Sequence, residues 1–123
     1  MVLVDSCGWL EFFTDGPLGS SYEEELSSKP EELLVPSIVL YEVFKFLLRT
    51  SGEETAIRCT AHMTQCCVVD LDSTLALESA EISIVNNLAM ADAIVYATSR
   101  RYNASLITSD TDLKDLPGVR FVG

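Results

Sequence analysis

The sequence predicts an α/β protein, a three-layer α/β/α domain around a parallel sheet of about five strands. Three observations carry that prediction. The chain has 123 residues, 48% of them hydrophobic and 22% charged, which is enough to bury one core and too apolar for a disordered chain. Five short β-branched runs are separated by stretches long enough for crossover helices, the alternation that gives parallel strands joined by right-handed crossovers. Those runs are also too apolar to alternate, as strands covered on both faces are. One domain, residues 1–123, is expected.

Met1 to Val4 is the first strand. The stretch after it ends in Thr14 to Ser20, whose two Gly and one Pro read as an exposed turn. Ser21, followed three residues later by Glu24, has the spacing of a capping box, in which two side chains close free amides at a helix start. Leu33 to Val35 is the second strand. A helix then begins near Pro36 and Ser37 and runs through Ile38 to Arg49, where Ser51 and Gly52 stop it; Ser51 with Glu54 offers a second capping box. Cys67 to Val69 is the third strand, followed by a helix from Asp72 to about Val85 and another from about Met90 to Tyr102. Ser105 to Thr108 and Arg120 to Val122 complete the sheet. No internal repeat or low-complexity segment is present.

Eight Lys and Arg against 19 Asp and Glu leave a net charge of −11. That excludes a general polyanion-coating protein, so any nucleic acid must be met locally. The start is apolar for only four residues before Asp5, without a basic leader or a small-residue cleavage site, and predicts no secretory signal. No apolar run approaches the roughly 18 residues of a membrane span. The four cysteines, Cys7, Cys59, Cys66 and Cys67, contain no Cys-x-x-Cys, and the single His62 has no spaced partner for zinc. They read as reduced, mostly buried thiols of a cytoplasmic protein, with a Cys–His62 catalytic pair as the minor alternative.

In an open parallel sheet, ligands bind beyond the carboxyl ends of the strands. Asp5 follows the first strand and Asp110 the fourth; alone, each reads as a helix cap or turn residue. Glu42, Lys45 and Arg49 are spaced three and four apart on an otherwise apolar helix, a solvated stripe whose Glu–Lys pair is worth a few tenths of a kcal/mol. Asp92 is harder to explain. It is the only charge between Glu81 and Arg100, on a helix apolar nearly all round, and a carboxylate there needs a partner. The nearby helix start supplies about 0.3–1 kcal/mol. If the four acids converge, each pair at about 4 Å repels by roughly 1 kcal/mol in water and about 4 kcal/mol at an effective dielectric of 20. No Lys or Arg lies within a few residues of Asp5, Asp92 or Asp110 on the same face except Lys114, four after Asp110. The compensating charge is then one or two hard divalent ions, and oxygen-only ligation selects Mg²⁺ or Mn²⁺ over zinc.

These residues resemble the PIN domain, and within it the small single-domain ribonucleases of the VapC toxin type. The resemblance rests on Val2-Leu3-Val4-Asp5-Ser6, on Pro36-Ser37 followed by Glu42, on Ala91-Asp92-Ala93-Ile94-Val95-Tyr96-Ala97 and on Thr108-Ser109-Asp110-Thr111-Asp112-Leu113, and it covers essentially the whole chain. It implies a PIN-like fold and a Mg²⁺- or Mn²⁺-dependent endoribonuclease, a toxin held inactive by a cognate antitoxin, and a homodimer. It places Asp5, Glu42, Asp92 and Asp110 at the catalytic, metal-binding positions, Ser6 and Thr108 as supporting hydroxyls, and Asp112 as an accessory acid. Leu113 stands where such chains commonly carry Phe, a change in the core. Asp5 and Asp92 would hold the better-occupied metal, and Glu42 and Asp110 would complete the cluster or orient water. Lys45 and Arg49 extend the stripe of Glu42 and are candidate RNA contacts. The acids at Glu23 to Glu25, Glu31, Glu32, Glu53 and Glu54 read as solvated helix starts or as an interface for a basic partner such as an antitoxin.

Two alternatives stand beside this reading. One keeps the fold as a catalytically idle binding module for RNA or protein. The other is a receiver-like phosphoacceptor domain, which needs paired acids after the first strand; here Asp5 is followed by Ser6 and Cys7. The nearest acceptor candidates are Asp70 and Asp72, and helix capping accounts for Asp72.

Overall fold

Five short strands, all parallel, form one sheet in the order β3-β2-β1-β4-β5. They are β1 (Val2–Val4), β2 (Leu33–Pro36), β3 (Cys67–Val69), β4 (Ser105–Thr108) and β5 (Val119–Phe121), in a computed structural model that describes residues 1–123. Six helices connect them: α1 (Ser6–Phe13), α2 (Gly19–Leu26), α3 (Ser37–Thr50), α4 (Glu53–Met63), α5 (Ser73–Asn86) and α6 (Met90–Arg101), with a short 3-10 turn at Pro30–Glu32. The expected parallel sheet of five strands is therefore present, the last strand starting one residue earlier than the apolar run suggested.

The centre of the sheet shows why those runs do not alternate. Leu3 and Val4, Leu34 and Val35, and Leu106 and Ile107 are neighbours that point to opposite faces, and all six are buried. Both faces are covered, by Trp9, Tyr22 and Leu26, by Val39, Val43 and Leu47, and by Val95 among others. At the edges the expectation fails. Cys67 and Val68 of β3 and Arg120 of β5 are exposed, because an edge strand lacks a neighbour on one side. The cysteines follow suit: all four are free, but Cys67 is exposed and the others are half-buried, so they are not mostly buried.

Neither expected capping box forms. Helix α2 starts at Gly19, so Ser21 already lies inside it, and the Leu18 N–H donates instead to the Glu11 carboxylate at 3.0 Å. Helix α4 is preceded by Gly52 with φ +93°, a conformation that favours glycine, and Ser51 closes α3 rather than opening α4. Asp72 does cap α5, accepting the Leu75 N–H at 2.8 Å. No helix is long and apolar enough to cross a membrane.

The strand order fixes where a ligand would sit. The chain moves outward from β1 through β2 to β3, then returns to the other side of β1 as β4 and β5. The switch in direction falls between β1 and β4, and a crevice opens there beyond their carboxyl ends.

Candidate metal centre

Asp5 occupies that switch point. Its N–H continues the ladder to the Ile107 carbonyl at 3.0 Å, and its extended backbone makes it the N-cap of α1. The two carboxylate oxygens have separate partners: Oδ1 accepts the Ser6 N–H at 2.8 Å and Oδ2 accepts the Thr108 Oγ1 hydroxyl at 2.8 Å. The cap reading of Asp5 therefore holds, and the same carboxylate lies at the switch point. Burial pushes its carboxyl above the ordinary range, hydrogen bonds from Thr108 and Ser6 pull it down, and the charge of Asp110 adds to the rise.

Asp110 lies just beyond β4. Its N–H donates to Thr108 Oγ1 at 3.0 Å, and its Oδ1 accepts the Asp112 N–H at 2.9 Å. Thr108, fully buried, therefore bridges the two acids, donating a hydrogen bond to the carboxylate of Asp5 and accepting one from the backbone N–H of Asp110. Asp92 stands in the first turn of α6, followed by a run from Ala93 to Ser99 that is buried throughout, as the apolar flanks predicted. One carboxylate oxygen from each of Asp5, Asp92 and Asp110 lies within 4.8 Å of the others.

The electrostatics of this cluster are unrelieved. The carboxyl of Asp92 is pushed up to about 7, first by burial, then by the charge of Asp110 and a hydrogen bond given to it, then by Asp5 and Asp112. Glu42, half-buried on α3, stands beside the three rather than within their oxygen cluster. Burial raises its carboxyl most, Asp5 and then Asp110 add to the rise, and a hydrogen bond with Ser6 opposes it. No cation answers these charges. Lys114 lies over the Phe121 ring, 4.8 Å from its centroid, instead of pairing with Asp110. Arg101 pairs with Asp72 and Glu78, and Arg120 with Glu25. Lys45 and Arg49 are exposed on α3 and form no ion pair; the Lys45 ammonium rests 3.4 Å from the Tyr41 hydroxyl.

A family model of the PIN domain matches residues 2–119. The chain belongs to the PIN domain family. A search of curated proteins finds no significant match. Solved structures agree on the fold. A toxin–antitoxin complex from Klebsiella pneumoniae superposes with a TM-score of 0.80 at 21% identity, covering 98% of this PIN domain and 96% of that chain. The Mycobacterium tuberculosis toxin VapC20, described as cleaving the sarcin–ricin loop, gives 0.76 at 20% identity over 91% and 92%. VapBC2 from Rickettsia felis, bound to a DNA fragment from its promoter, gives 0.76 at 17% identity over 99% and 98%. The family match removes the receiver-like alternative, and in this PIN domain Asp70 is exposed while Asp72 is committed to the α5 cap.

The donor set fits the divalent metal that PIN nucleases use. It is all carboxylate, it comes from three separate elements, and no lysine or arginine of this PIN domain forms an ion pair with it. Two residues that local pattern did not indicate also reach the site, both through Ser109. Cys7 Sγ accepts the Ser109 N–H at 3.5 Å and lies 3.7 Å from Thr108 Oγ1, and the Tyr22 hydroxyl bonds the Ser109 hydroxyl. Tyr22 and Ser109 are 87 residues apart, a contact for which the sequence carries no local signal.

Proposed function

We propose that this protein is an endoribonuclease that hydrolyses RNA phosphodiester bonds with Mg²⁺ or Mn²⁺, and that it is the toxin of a toxin–antitoxin pair. The observation that carries this is the meeting of Asp5, Asp92 and Asp110 at the switch point with no side-chain cation to balance them. The described activity of the structurally similar VapC20 supports RNA as the substrate. The ion, when bound, lowers the pKa of the attacking water and neutralises charge on the attacking and leaving oxygens. The chain's own part is to hold ligands. Asp5 is fixed by Ser6 and Thr108, each carboxylate oxygen keeping a free lone pair. Asp110 is placed by Thr108 through the backbone. Asp92, whose carboxyl is pushed up to about 7, would join the ligand set as the carboxylate, any proton passing to water. Glu42 completes the set or orients water, and Asp112 adds negative charge at its rim. Lys45 and Arg49, free of acidic partners, are contacts for RNA phosphates, meeting the polyanion locally on a chain of net charge −11.

The chain, residues 1–123, works as one unit in the cytoplasm, where its free cysteines stay reduced. Its regulatory partner is an antitoxin on another chain. Its second copy is supported by an apolar face on α5 and α6, where Leu77, Ile84, Val85 and Met90 are 71%, 83%, 80% and 72% exposed. Beside them runs a groove of about 500 Å³ lined by Leu71, Ala76, Ala80, Ile84, Met90 and Ile94. A light-scattering mass near twice 13.5 kDa at micromolar concentration is the expected result, and a mass near 13.5 kDa rejects the dimer.

The function is tested by incubating the protein with a structured RNA pool in Mn²⁺, in Mg²⁺ and in chelator. Cleavage is expected with either metal and none with chelator. Failure to bind Mn²⁺ by calorimetry overturns the metal reading, whatever the RNA.

A further inference from the structure

The side chain of Tyr22 reaches the metal centre from α2, outside the acidic set. It is fully buried, and its ring lies so close to Gly8 that a Cβ there would stand 2.6 Å from the ring Cδ1. Phenylalanine would serve that packing equally well. The hydroxyl has a separate role, for it bonds Ser109, the residue between Thr108 and Asp110. Ser109 is held a second time, its N–H donating to Cys7 Sγ at 3.5 Å, and that sulfur in turn lies 3.9 Å from the Tyr22 hydroxyl. Burial pushes the Tyr22 phenol up, so the hydroxyl keeps its proton across any working pH.

The neighbours of Ser109 show what this anchors. Thr108 is tied to the sheet and to Asp5, whereas the Asp110 carboxylate accepts its one backbone hydrogen bond from Asp112, an exposed residue of the same loop. The position of Asp110 relative to Asp5 and Asp92 is therefore set by the backbone of the turn that leaves β4. Two ties fix that turn from the core: the Thr108 hydroxyl, which receives the Asp110 N–H, and the Tyr22–Ser109–Cys7 group.

We infer that Tyr22 is a positioning residue of the acidic centre, its hydroxyl acting through Ser109 to hold the turn that presents Asp110 to Asp5 and Asp92. The consequence for metal rests on the function proposed above, whereas the consequence for the turn does not. Partners behind metal ligands typically change affinity by about 10–100-fold when removed.

The test compares wild type with Tyr22→Phe, Ser109→Ala and the double variant, by two readouts. In metal-free protein, NMR hydrogen exchange at the Ser109 and Asp110 amides is expected to quicken about tenfold in each single variant, with amides of α3 and α5 unchanged. Mn²⁺ affinity by calorimetry is expected to fall about tenfold in each, and the double variant to be no worse than either, because both remove the same bond. Wild-type exchange at residues 109 and 110 in folded Tyr22→Phe, with Mn²⁺ affinity within about twofold, overturns the inference and leaves Tyr22 a packing residue. Should Tyr22→Phe fold poorly, Ser109→Ala removes the same bond with the ring in place and decides the matter. If wild type itself binds no Mn²⁺, the metal reading fails, and the exchange rates alone still support or overturn the role of Tyr22.

Discussion

Asp92→Asn is expected to abolish RNA cleavage and, in the absence of metal, to make the protein more stable. Both results come from one property. The carboxyl of Asp92 is pushed up to about 7 by burial, by Asp110 and by the neighbouring acids Asp5 and Asp112, against an ordinary value of 3.8 in the unfolded chain. Below about pH 4 the group is protonated in both states and costs nothing. Between about pH 4 and 7 the unfolded chain gives up this proton while the folded protein still holds it, so stability falls across that window and levels off once the folded group has ionised as well. Asparagine has no proton to lose, and its amide still donates a hydrogen bond toward Asp110. The variant should therefore lack the decline between about pH 4 and 7. The size of the gain is limited by solvent, since Asp92 is only half-buried. Activity moves the other way. With Asp92 in the proposed ligand set, its loss would remove several kcal/mol of transition-state stabilisation, and at about 1.4 kcal/mol per tenfold that is a rate loss on the order of 10³ or more. Urea unfolding at pH 5 and pH 8 in chelator, beside a cleavage assay with Mn²⁺, measures both. A variant less stable than wild type at pH 8, or one that still cleaves, contradicts this role for Asp92.

Gly8→Ala is expected to destabilise the fold by about 2 kcal/mol although it replaces glycine within a helix. Propensity alone favours alanine by about 1 kcal/mol. Sterics oppose it: a Cβ at Gly8 would lie 2.5 Å from Val4 Cγ1 and 2.6 Å from Tyr22 Cδ1, with the ring Cε1 nearer still. Neither neighbour can step aside. Val4 is a β-branched residue of the central strand, 1% exposed, and Tyr22 is fully buried with its hydroxyl engaged. Overpacking of this kind costs about 1–3 kcal/mol, and two contacts this short place the cost at the upper end. The net sign is read from the midpoint of urea unfolding. An alanine variant more stable than wild type would mean that the ring yields and that Gly8 is there for another reason.

The parts of this architecture that were legible in the sequence are those written in local pattern. Apolar pairs such as Leu3–Val4 and Leu106–Ile107 announce strands covered on both faces, and α3, α5 and α6 start and stop within a residue or so of where apolar periodicity, Gly52 and the Asp72 cap place them. Asp92 stood out because no other charge shares its helix before Arg100. The capping boxes misled because two residue types at a fixed spacing recur by chance, while the real helix starts were decided by Glu11, seven residues before the Leu18 amide it accepts, and by the positive φ of Gly52. Exposure of β3 and β5 follows from strand order, which a series of strands read along the chain does not contain. Tyr22 and Cys7 had no signal at all, since their partners lie in the turn after β4.

The pairing of β1 with β4 also dictates when the centre can exist. Val2 lies opposite Ser105, and Asp5 reaches a threonine 103 residues further on, so the first strand of the chain waits for the fourth before its acid has its neighbours. During synthesis, a chain released from the ribosome tunnel only as far as α5 already displays Asp5 and Glu42 but has neither Asp92 nor Asp110. Contacts of such long sequence separation also slow folding, because the cost of loop closure comes before the contacts can repay it. The acids can meet only once nearly the whole chain has been made, and a product terminated before Asp110 carries an incomplete centre.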